Sequence, residues 1–191
     1  ESGSGKSTLA RVLAFLQIPT SGTLCWEGEL ERPRGLGRRG IGMIFQDALA
    51  SLNPRIMVGE AVIEPLRLLR GLSRDESREE CRRLLESVGL DPGLGFRYPS
   101  ELSGGQAQRA ALARALAGEP RLLIADEPVS ALDVSIQAQV LNLLKDLQEK
   151  SGFALVLITH DLSLLPLMCG RAVVLHQGQI VEEGPPHDLL S

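Results

Sequence analysis

A glycine-rich turn near the start of the chain has the residue types that bind polyphosphates. In order, it reads Ser2, Gly3, Ser4, Gly5, Lys6, Ser7 and Thr8. Glycines let backbone N–H groups approach a phosphate, and the helix predicted to follow adds a partial positive charge. Lys6 would reach the β- and γ-phosphates, and Ser7 would coordinate Mg²⁺. The alternative is a flexible linker before an ordinary helix, and the first glycine of the full pattern would lie upstream of Glu1.

Two carboxylates follow a predicted strand. Leu122–Ala125 is a short apolar run, typical of a buried parallel strand, and Asp126 and Glu127 come directly after it. Ligands of parallel sheets bind at the carboxyl ends of strands. Asp126 suits Mg²⁺, and Glu127 suits a general base that positions water. Acidic residues also end strands simply because they are solvated there, so the pair alone leaves both interpretations open.

The pentapeptide Leu102–Gln106, with the sequence LSGGQ, precedes a run of good helix formers. Ser103 and Gln106 have the spacing of a capping box, which contributes about 1 kcal/mol to helix stability. Capping explains two positions of the five, and a given pentapeptide occurs by chance in such a chain with a probability of about 10⁻⁴. His160, which follows another apolar strand, fits an ordinary strand-end histidine when it is taken alone.

Strands and helices alternate along the chain. Apolar runs predict strands at Thr23–Trp26, Ile41–Phe45 and Phe153–Thr159, and a strand pair around Gln177 and Gly178. The pattern is helical from Asn53 to Ala117, and within it Ser73 and Glu76 have the spacing of a capping box. We therefore expect an α/β protein with a mostly parallel sheet flanked by helices and an inserted α-helical subdomain at about residues 53–117.

Composition excludes several classes of protein. The 191 residues suffice for one domain, and 20 basic against 24 acidic residues argue against a nucleic-acid partner. No uncharged apolar stretch approaches the roughly 20 residues that cross a bilayer. Cys25, Cys81 and Cys169 are too far apart for a zinc or disulfide pattern, which favours a reducing cytosol. Because the chain begins with Glu1 rather than Met, we expect it to be an internal fragment of one domain that is incomplete at its N-terminus.

The order of these motifs resembles that of the ATP-binding cassette (ABC) ATPases over the whole chain. The resemblance implies a P-loop NTPase-type fold that binds ATP and Mg²⁺. It assigns Lys6 and Ser7 to the Walker A loop, Gln46 to the Q-loop, Ser103, Gly104, Gly105 and Gln106 to the signature, Asp126 and Glu127 to Walker B, Asp133 to the D-loop and His160 to the switch. The implied catalytic residues are Lys6, Gln46, Glu127 and His160, and the implied Mg²⁺ ligands are Ser7, Gln46 and Asp126.

Three stretches resemble the ATPase subunits of oligopeptide, dipeptide and nickel importers. They are Phe45–Asp47 with Ser51–Arg55, Glu127–Gln139 and Gly178–Gly184. The expected function is therefore hydrolysis of ATP to power import, with peptide as the first expectation for the cargo. The alternatives are a soluble ABC-type ATPase of a carbon-phosphorus bond-cleaving assembly and a nucleotide-binding module without turnover, which Glu127 and His160 argue against.

The resemblance also implies partners. Two cassettes would face each other head to tail, as a homodimer or heterodimer, so that Ser103 of one copy caps the γ-phosphate held by the other. Permease subunits would hold the pair at the cytoplasmic face of the membrane, and an extracytoplasmic substrate-binding protein would act indirectly. Two departures stand out: Ala107 replaces a polar residue, and the upstream strand and adenine-stacking aromatic are absent. Without the stacking contact, we expect the chain alone to bind ATP about 5- to 150-fold more weakly than a protein that has it, or to fold incompletely.

Overall fold

The computed structural model describes residues 3–31 and 38–189 of the chain. The chain forms two compact units, one made of Glu1–Arg38 with Leu157–Ser191 and the other of Arg39–Val156. In chain order the helices and strands are α1 (Lys6–Leu13), β1 (Leu24–Trp26), β2 (Glu29–Glu31), β3 (Ile41–Ile44), α2 (Ala48–Ser51), α3 (Val58–Arg70), α4 (Arg74–Ser87), α5 (Gly104–Leu116), β4 (Leu122–Asp126), α6 (Val134–Ser151), β5 (Ala154–Ile158), α7 (Leu165–Met168), β6 (Ala172–His176), β7 (Gln179–Gly184) and α8 (Pro186–Leu189). Ser2 and residues 32–37, which lie between the predicted strands Thr23–Trp26 and Ile41–Phe45, are outside the described residues.

A sheet with the strand order β3-β4-β5 is the centre of the larger unit, to which residues 154–156 of β5 belong. β3 and β4 run parallel, with Ile41 opposite Leu122 and Ile44 opposite Ala125. The middle strand, β4, is buried on both faces, which is why its sequence is continuously apolar. The predicted parallel strand and the α/β class are confirmed.

Three helices of the larger unit, α3, α4 and α5, lie within the range that the sequence predicts to be helical. α3, α4 and α5 pack against one another. α4 begins with the predicted capping box, in which the Glu76 amide donates to Ser73 Oγ at 3.4 Å and the Ser73 amide donates to the Glu76 carboxylate at 2.9 Å. α2 lies before the predicted helical start at Asn53, and its signal is Asp47, whose carboxylate caps the Ala50 amide. The separate subdomain at about 53–117 stays a prediction.

Two hairpins belong to the smaller unit. β6 and β7 pair antiparallel around Gln177 and Gly178, as predicted. β1 pairs antiparallel with β2, a strand that the sequence interpretation missed. Its turn consists of Glu27 at φ 54° and Gly28 at φ 86°, and two successive left-handed residues make the turn that matches strand twist. Glutamate is uncommon at such a position, so the sequence carried only half of the usual hairpin signal.

Cys25, Cys81 and Cys169 are free thiols in the structure. Cys81 is buried against α3, where its thiol lies 3.6 Å from the Gly59 carbonyl oxygen, and burial raises the pKa of this thiol to about 11. Among the described residues, no helix combines the length and the apolar composition that crossing a membrane requires.

A glycine on β3 sets how closely α5 approaches the sheet. A Cβ atom on Gly42 would lie 2.8 Å from the Ala115 carbonyl oxygen on α5 and 3.0 Å from Leu123 Cδ1 on β4. A backbone oxygen cannot move without shifting its helix. The absence of a side chain at Gly42 therefore fixes the distance between the sheet and the helix that carries LSGGQ.

We expect Gly42→Ala to lower the free energy of unfolding of the full-length protein by about 1–3 kcal/mol, because the added methyl group overpacks this contact. Urea denaturation measures the change. Gly170→Ala is the matched control, since Gly170 has no heavy atom within 4 Å of its would-be Cβ and no left-handed φ. Its stability should change by less than about 0.5 kcal/mol. Equal stability of both variants would mean that α5 does not approach β3 this closely.

Candidate active site

The glycine-rich turn of the smaller unit has the backbone of an anion-binding loop. Gly3 at φ 86° and Gly5 at φ 94° are both left-handed, and Ser4 between them is buried. Gly5 is the residue before α1 and supplies no side-chain cap, so the first amides of that helix are not taken up by a capping side chain. Such a helix start binds phosphate through its N–H groups and its dipole.

Side chains and a neighbouring turn hold this loop. Lys6 Nζ donates to Ser4 Oγ at 2.8 Å, and the Gly178 amide of the β6-β7 turn donates to the Ser4 carbonyl oxygen at 3.0 Å. Ser7 and Thr8 follow in the first turn of α1. Lys6 is therefore tied to the loop that it is predicted to serve, through a neutral acceptor that a phosphate oxygen could replace.

His160 lies just beyond β5, at an exposed position. The segment around it is fixed by short hydrogen bonds: the Asp161 amide donates to Thr159 Oγ1 at 2.9 Å, and Ser163 donates to the Asp161 carboxylate from Oγ at 2.6 Å and from its amide at 2.9 Å. The two bonds from Ser163, with a smaller contribution from His160, hold the pKa of Asp161 below its ordinary range. The backbone that presents His160 is therefore well defined.

The carboxyl end of β4 holds two carboxylates in different environments. Asp126 is 4% exposed, and its Oδ1 has no hydrogen-bond partner among the described residues. Glu127 is half-buried and has a left-handed backbone at φ 47°. Gln46 Nε2 donates to Glu127 Oε2 at 3.0 Å, which brings together two predicted site residues that are 81 positions apart in sequence.

The LSGGQ segment forms the start of α5. Ser103 Oγ accepts from the Gln106 amide at 3.3 Å, and Gln106 Oε1 accepts from the Ser103 amide at 2.9 Å, so the capping box is real. Ser103 and Gly104 are nevertheless exposed at this helix end. A Cβ on Gly105 would lie 2.9 Å from Ile136 Cγ2, so the second glycine is required by packing against α6.

Asp133 lies at the start of α6 and does not use its carboxylate as a cap. Its carbonyl oxygen accepts from the amides of Ile136 and Gln137, both at 2.9 Å, and its side chain is exposed. The loop before it contacts the start of α5, because a Cβ on Gly104 would lie 3.3 Å from Leu132 Cδ2.

A cleft of about 430 Å³ in the larger unit lies between the Gln46 segment, the first turns of α5 and the loop that follows Glu127. Its lining residues are Gln46, Asp47, Ala48, Leu49, Gly104, Ala107, Gln108, Pro128, Ser130, Ala131 and Leu132. Sequence interpretation missed Gln108, which is 3% exposed with its Nε2 unpartnered among the described residues. A polar residue on the alanine-rich face of α5 was the available signal.

Comparisons with known proteins agree with this arrangement of motifs. The model of the family described as ABC transporter matches residues 1–130. The chain is 50% identical over 190 residues to a probable peptide ABC transporter ATP-binding protein of Sinorhizobium fredii. The match covers 97% of the chain and 54% of that protein. The chain is 51% identical over 191 residues to the oligopeptide transport ATP-binding protein OppF of Escherichia coli, covering 96% and 57% respectively. The chain thus spans little more than half the length of these curated relatives.

Solved structures share the fold. One is the ATP-binding cassette MJ0796 in a dimeric post-hydrolysis state bound to ADP and Pi, with a TM-score of 0.85 and 33% identity, covering 97% of this chain and 82% of that one. Another is cbiO1 of Clostridium perfringens, part of the transporter complex cbiONQ, with a TM-score of 0.82 and 28% identity, covering 100% and 76%. From the family match and the identity to these relatives, the chain belongs to the ABC transporter family.

Proposed function

We propose that this chain is the nucleotide-binding part of an ATPase subunit that hydrolyses ATP to power peptide import through membrane partner subunits. The end of β4 carries the proposal. There a buried carboxylate with an unpartnered oxygen, Asp126, is followed by a carboxylate that is hydrogen-bonded to the amide of Gln46. This is the pair of environments that a metal ligand and a base need.

The residues at this end of the sheet fit Mg²⁺. A buried carboxylate oxygen without a donor is costly, and a hard cation would satisfy it. Gln46 donates through Nε2, and its amide oxygen is a suitable further ligand. Asp126 and Gln46 are the ligands that we propose in this unit, and Ser7 is a ligand that the family resemblance alone assigns. When bound, Mg²⁺ would neutralise charge on the phosphate oxygens.

Glu127 is the proposed general base. It orients a water molecule whose oxygen attacks the γ-phosphorus; the bond from that phosphorus to the bridging oxygen of ADP breaks, and the proton of the water passes toward the carboxylate. The left-handed backbone of Glu127 costs on the order of 1 kcal/mol, and such strain concentrates at active sites. Gln46 supports this orientation by holding Oε2.

The smaller unit supplies the proposed phosphate contacts. Lys6 exchanges its bond with Ser4 for the β- and γ-phosphate oxygens, while the amides of Gly3–Thr8 surround the phosphates. Ser2 is proposed as part of the same loop. His160 would donate to a γ-phosphate oxygen and so help to stabilise the charge that the transition state spreads over the outer oxygens.

The start of α5 would serve the nucleotide of a second ATPase subunit. Ser103 and Gly104 are exposed at the N-terminus of α5, where the helix dipole favours an anion. Asp133, whose side chain is also exposed, belongs to the same unit. The dimeric state of the ADP- and Pi-bound MJ0796 supports such a pair. Gly105 and Gln106 keep this helix start in place through the Ile136 contact and the capping box.

The relatives support peptide as cargo, because those with about 50% identity are named for peptide or oligopeptide transport. The proposal also includes a permease partner, a peripheral position at the cytoplasmic face of the membrane and an extracytoplasmic binding protein.

We expect the full-length protein, reconstituted in vesicles with its permease subunits and binding protein, to take up di- to pentapeptides only with ATP. Uptake of nickel chelates instead would replace the cargo, and copurification with soluble enzymes and no permease would overturn the transport role.

We expect Glu127→Gln to lower ATP turnover of the full-length protein by about 10²- to 10⁴-fold and to retain ATP binding, because the amide cannot accept the proton. Phosphate release and equilibrium binding of ATP measure the two effects. Glu119→Gln is the matched control: Glu119 is also a left-handed glutamate, at φ 48°, and its side chain is 69% exposed. If Glu127→Gln hydrolyses ATP at the wild-type rate, Glu127 is not the general base.

Replacing Ser103 by aspartate separates the two roles of this residue. Aspartate caps a helix as well as serine does, so the stability of Ser103→Asp should stay within about 0.5 kcal/mol of wild type. Two like charges about 4 Å apart repel by about 4 kcal/mol at a protein surface, so ATP turnover should fall at least about tenfold. Ser103→Thr, a neutral cap, should retain activity. If Ser103→Asp turns over ATP normally, Ser103 is a helix cap and nothing more.

A further inference from the structure

Arg114, near the end of α5, is bonded to a helix that is not its neighbour in sequence. Its Nη1 donates to the carbonyl oxygen of Ser51, and its Nη2 donates to Ser51 Oγ at 3.3 Å. Ser51 is the last residue of α2, and its own hydroxyl donates to the Ala48 carbonyl oxygen at 2.8 Å. One guanidinium therefore holds both the backbone and the side chain at the end of a one-turn helix.

This arginine is in a costly environment. Burial lowers the pKa of the Arg114 guanidinium, and the carboxylate of Glu64 opposes that shift. Its hydrogen-bond acceptors among the described residues both belong to Ser51. A charged group that is partly buried without a hydrogen-bonded carboxylate partner gains little for the core. The role of Arg114 therefore has to follow from the segment that it binds, which is the end of α2.

The helix that Arg114 holds leads directly to the active site. α2 has four residues, far fewer than a helix needs to be stable by itself, so tertiary contacts decide where it lies. It begins at Asp47, whose carboxylate accepts from the Ala50 amide at 2.9 Å. The preceding residue is Gln46, which donates to Glu127. A shift of α2 would therefore move the donor of that hydrogen bond.

The other end of α5 carries Ser103. Arg114 lies eleven positions after Ser103, which corresponds to about 16 Å along a continuous helix at about 1.5 Å per residue. A helix of this kind moves as one body, so a displacement at its N-terminus reaches Arg114. Arginine suits this position better than lysine, because its planar fork can bind two acceptors at once.

We propose that Arg114 is a positioning residue that clamps α2 to α5, so that Gln46 and the Ser103 end of α5 shift together. The proposal rests on the proposed function, in which Gln46 supports Glu127 and Ser103 meets the nucleotide of a second subunit. Capture of ATP at one end of α5 would then adjust the hydrogen bond to the base through Ser51. Arg114 touches neither nucleotide nor water in this scheme.

The test compares Arg114→Met with Arg109→Met in the full-length protein. Arg109 is on the same helix and donates to the Val88 carbonyl oxygen at 2.8 Å and to Gln139 Oε1 at 3.4 Å, away from α2. We expect Arg114→Met to speed amide hydrogen exchange in residues 46–52 by about tenfold and to lower kcat by about tenfold with KM for ATP changed less than about twofold. Arg109→Met should leave exchange in residues 46–52 unchanged.

A double-mutant cycle distinguishes positioning from a general loss of stability. In a Gln46→Ala background, Arg114→Met should lower kcat by less than about twofold further, because the residue through which it acts is gone. Arg114→Lys, which can reach one acceptor, should recover part of kcat and of the exchange protection. If Arg114→Met does not fold, Arg114→Lys carries the same readouts at smaller amplitude.

Two outcomes overturn the clamp: a full additional loss of kcat in the Gln46→Ala background, or unchanged exchange in residues 46–52. The failure of the proposed function would look different. If Gln46→Ala and Glu127→Gln both hydrolyse ATP at the wild-type rate, the catalytic roles are wrong, and the exchange of residues 46–52 still decides by itself whether Arg114 holds α2.

Discussion

The burial of β4 is the constraint on which the rest of this site depends. A strand covered on both faces must be apolar, so its chain can carry charge only where the strand ends. Asp126 lies at that limit, buried and with one oxygen unpartnered, while the next residue, Glu127, turns into a left-handed conformation and meets Gln46. Two consecutive residues thus carry a carboxylate suited to a cation and a carboxylate suited to a proton.

The helix α5 connects this strand end to the rest of the larger unit. Gly42 allows it to lie close against β3, its first turn packs against Ile136, and Arg114 fastens α2 to it. The cleft lined by Gln46, Gly104 and the loop after Glu127 is a consequence of these contacts. The groups that we propose to act on a phosphate are therefore held by packing between helices as much as by the sheet.

The sequence predicts those parts whose cause is local. The apolar run of β4 and the spacing of Ser73 and Glu76 each have a physical signature within a few residues, and the structure has both elements. The hydrogen bond of Gln46 to Glu127 spans 81 positions and that of Arg114 to Ser51 spans 63, so no local pattern encodes either. α2 has a local signal in its cap Asp47, but a four-residue helix owes its position to distant contacts, and the cap alone did not indicate it.

The capping box and the proposed phosphate role of Ser103 are compatible, although the sequence presents them as alternatives. Ser103 Oγ accepts from the Gln106 amide, and a hydroxyl that accepts still has its own hydrogen to donate. Capping fixes the side chain at the exposed end of α5, which lowers the entropy that binding an anion would otherwise cost. The glycines carry less information about phosphate than their motif suggests, because contacts with Leu132 and Ile136 already restrict both positions. Ser103 is thus the residue of LSGGQ whose chemistry, rather than its packing, has to explain its identity.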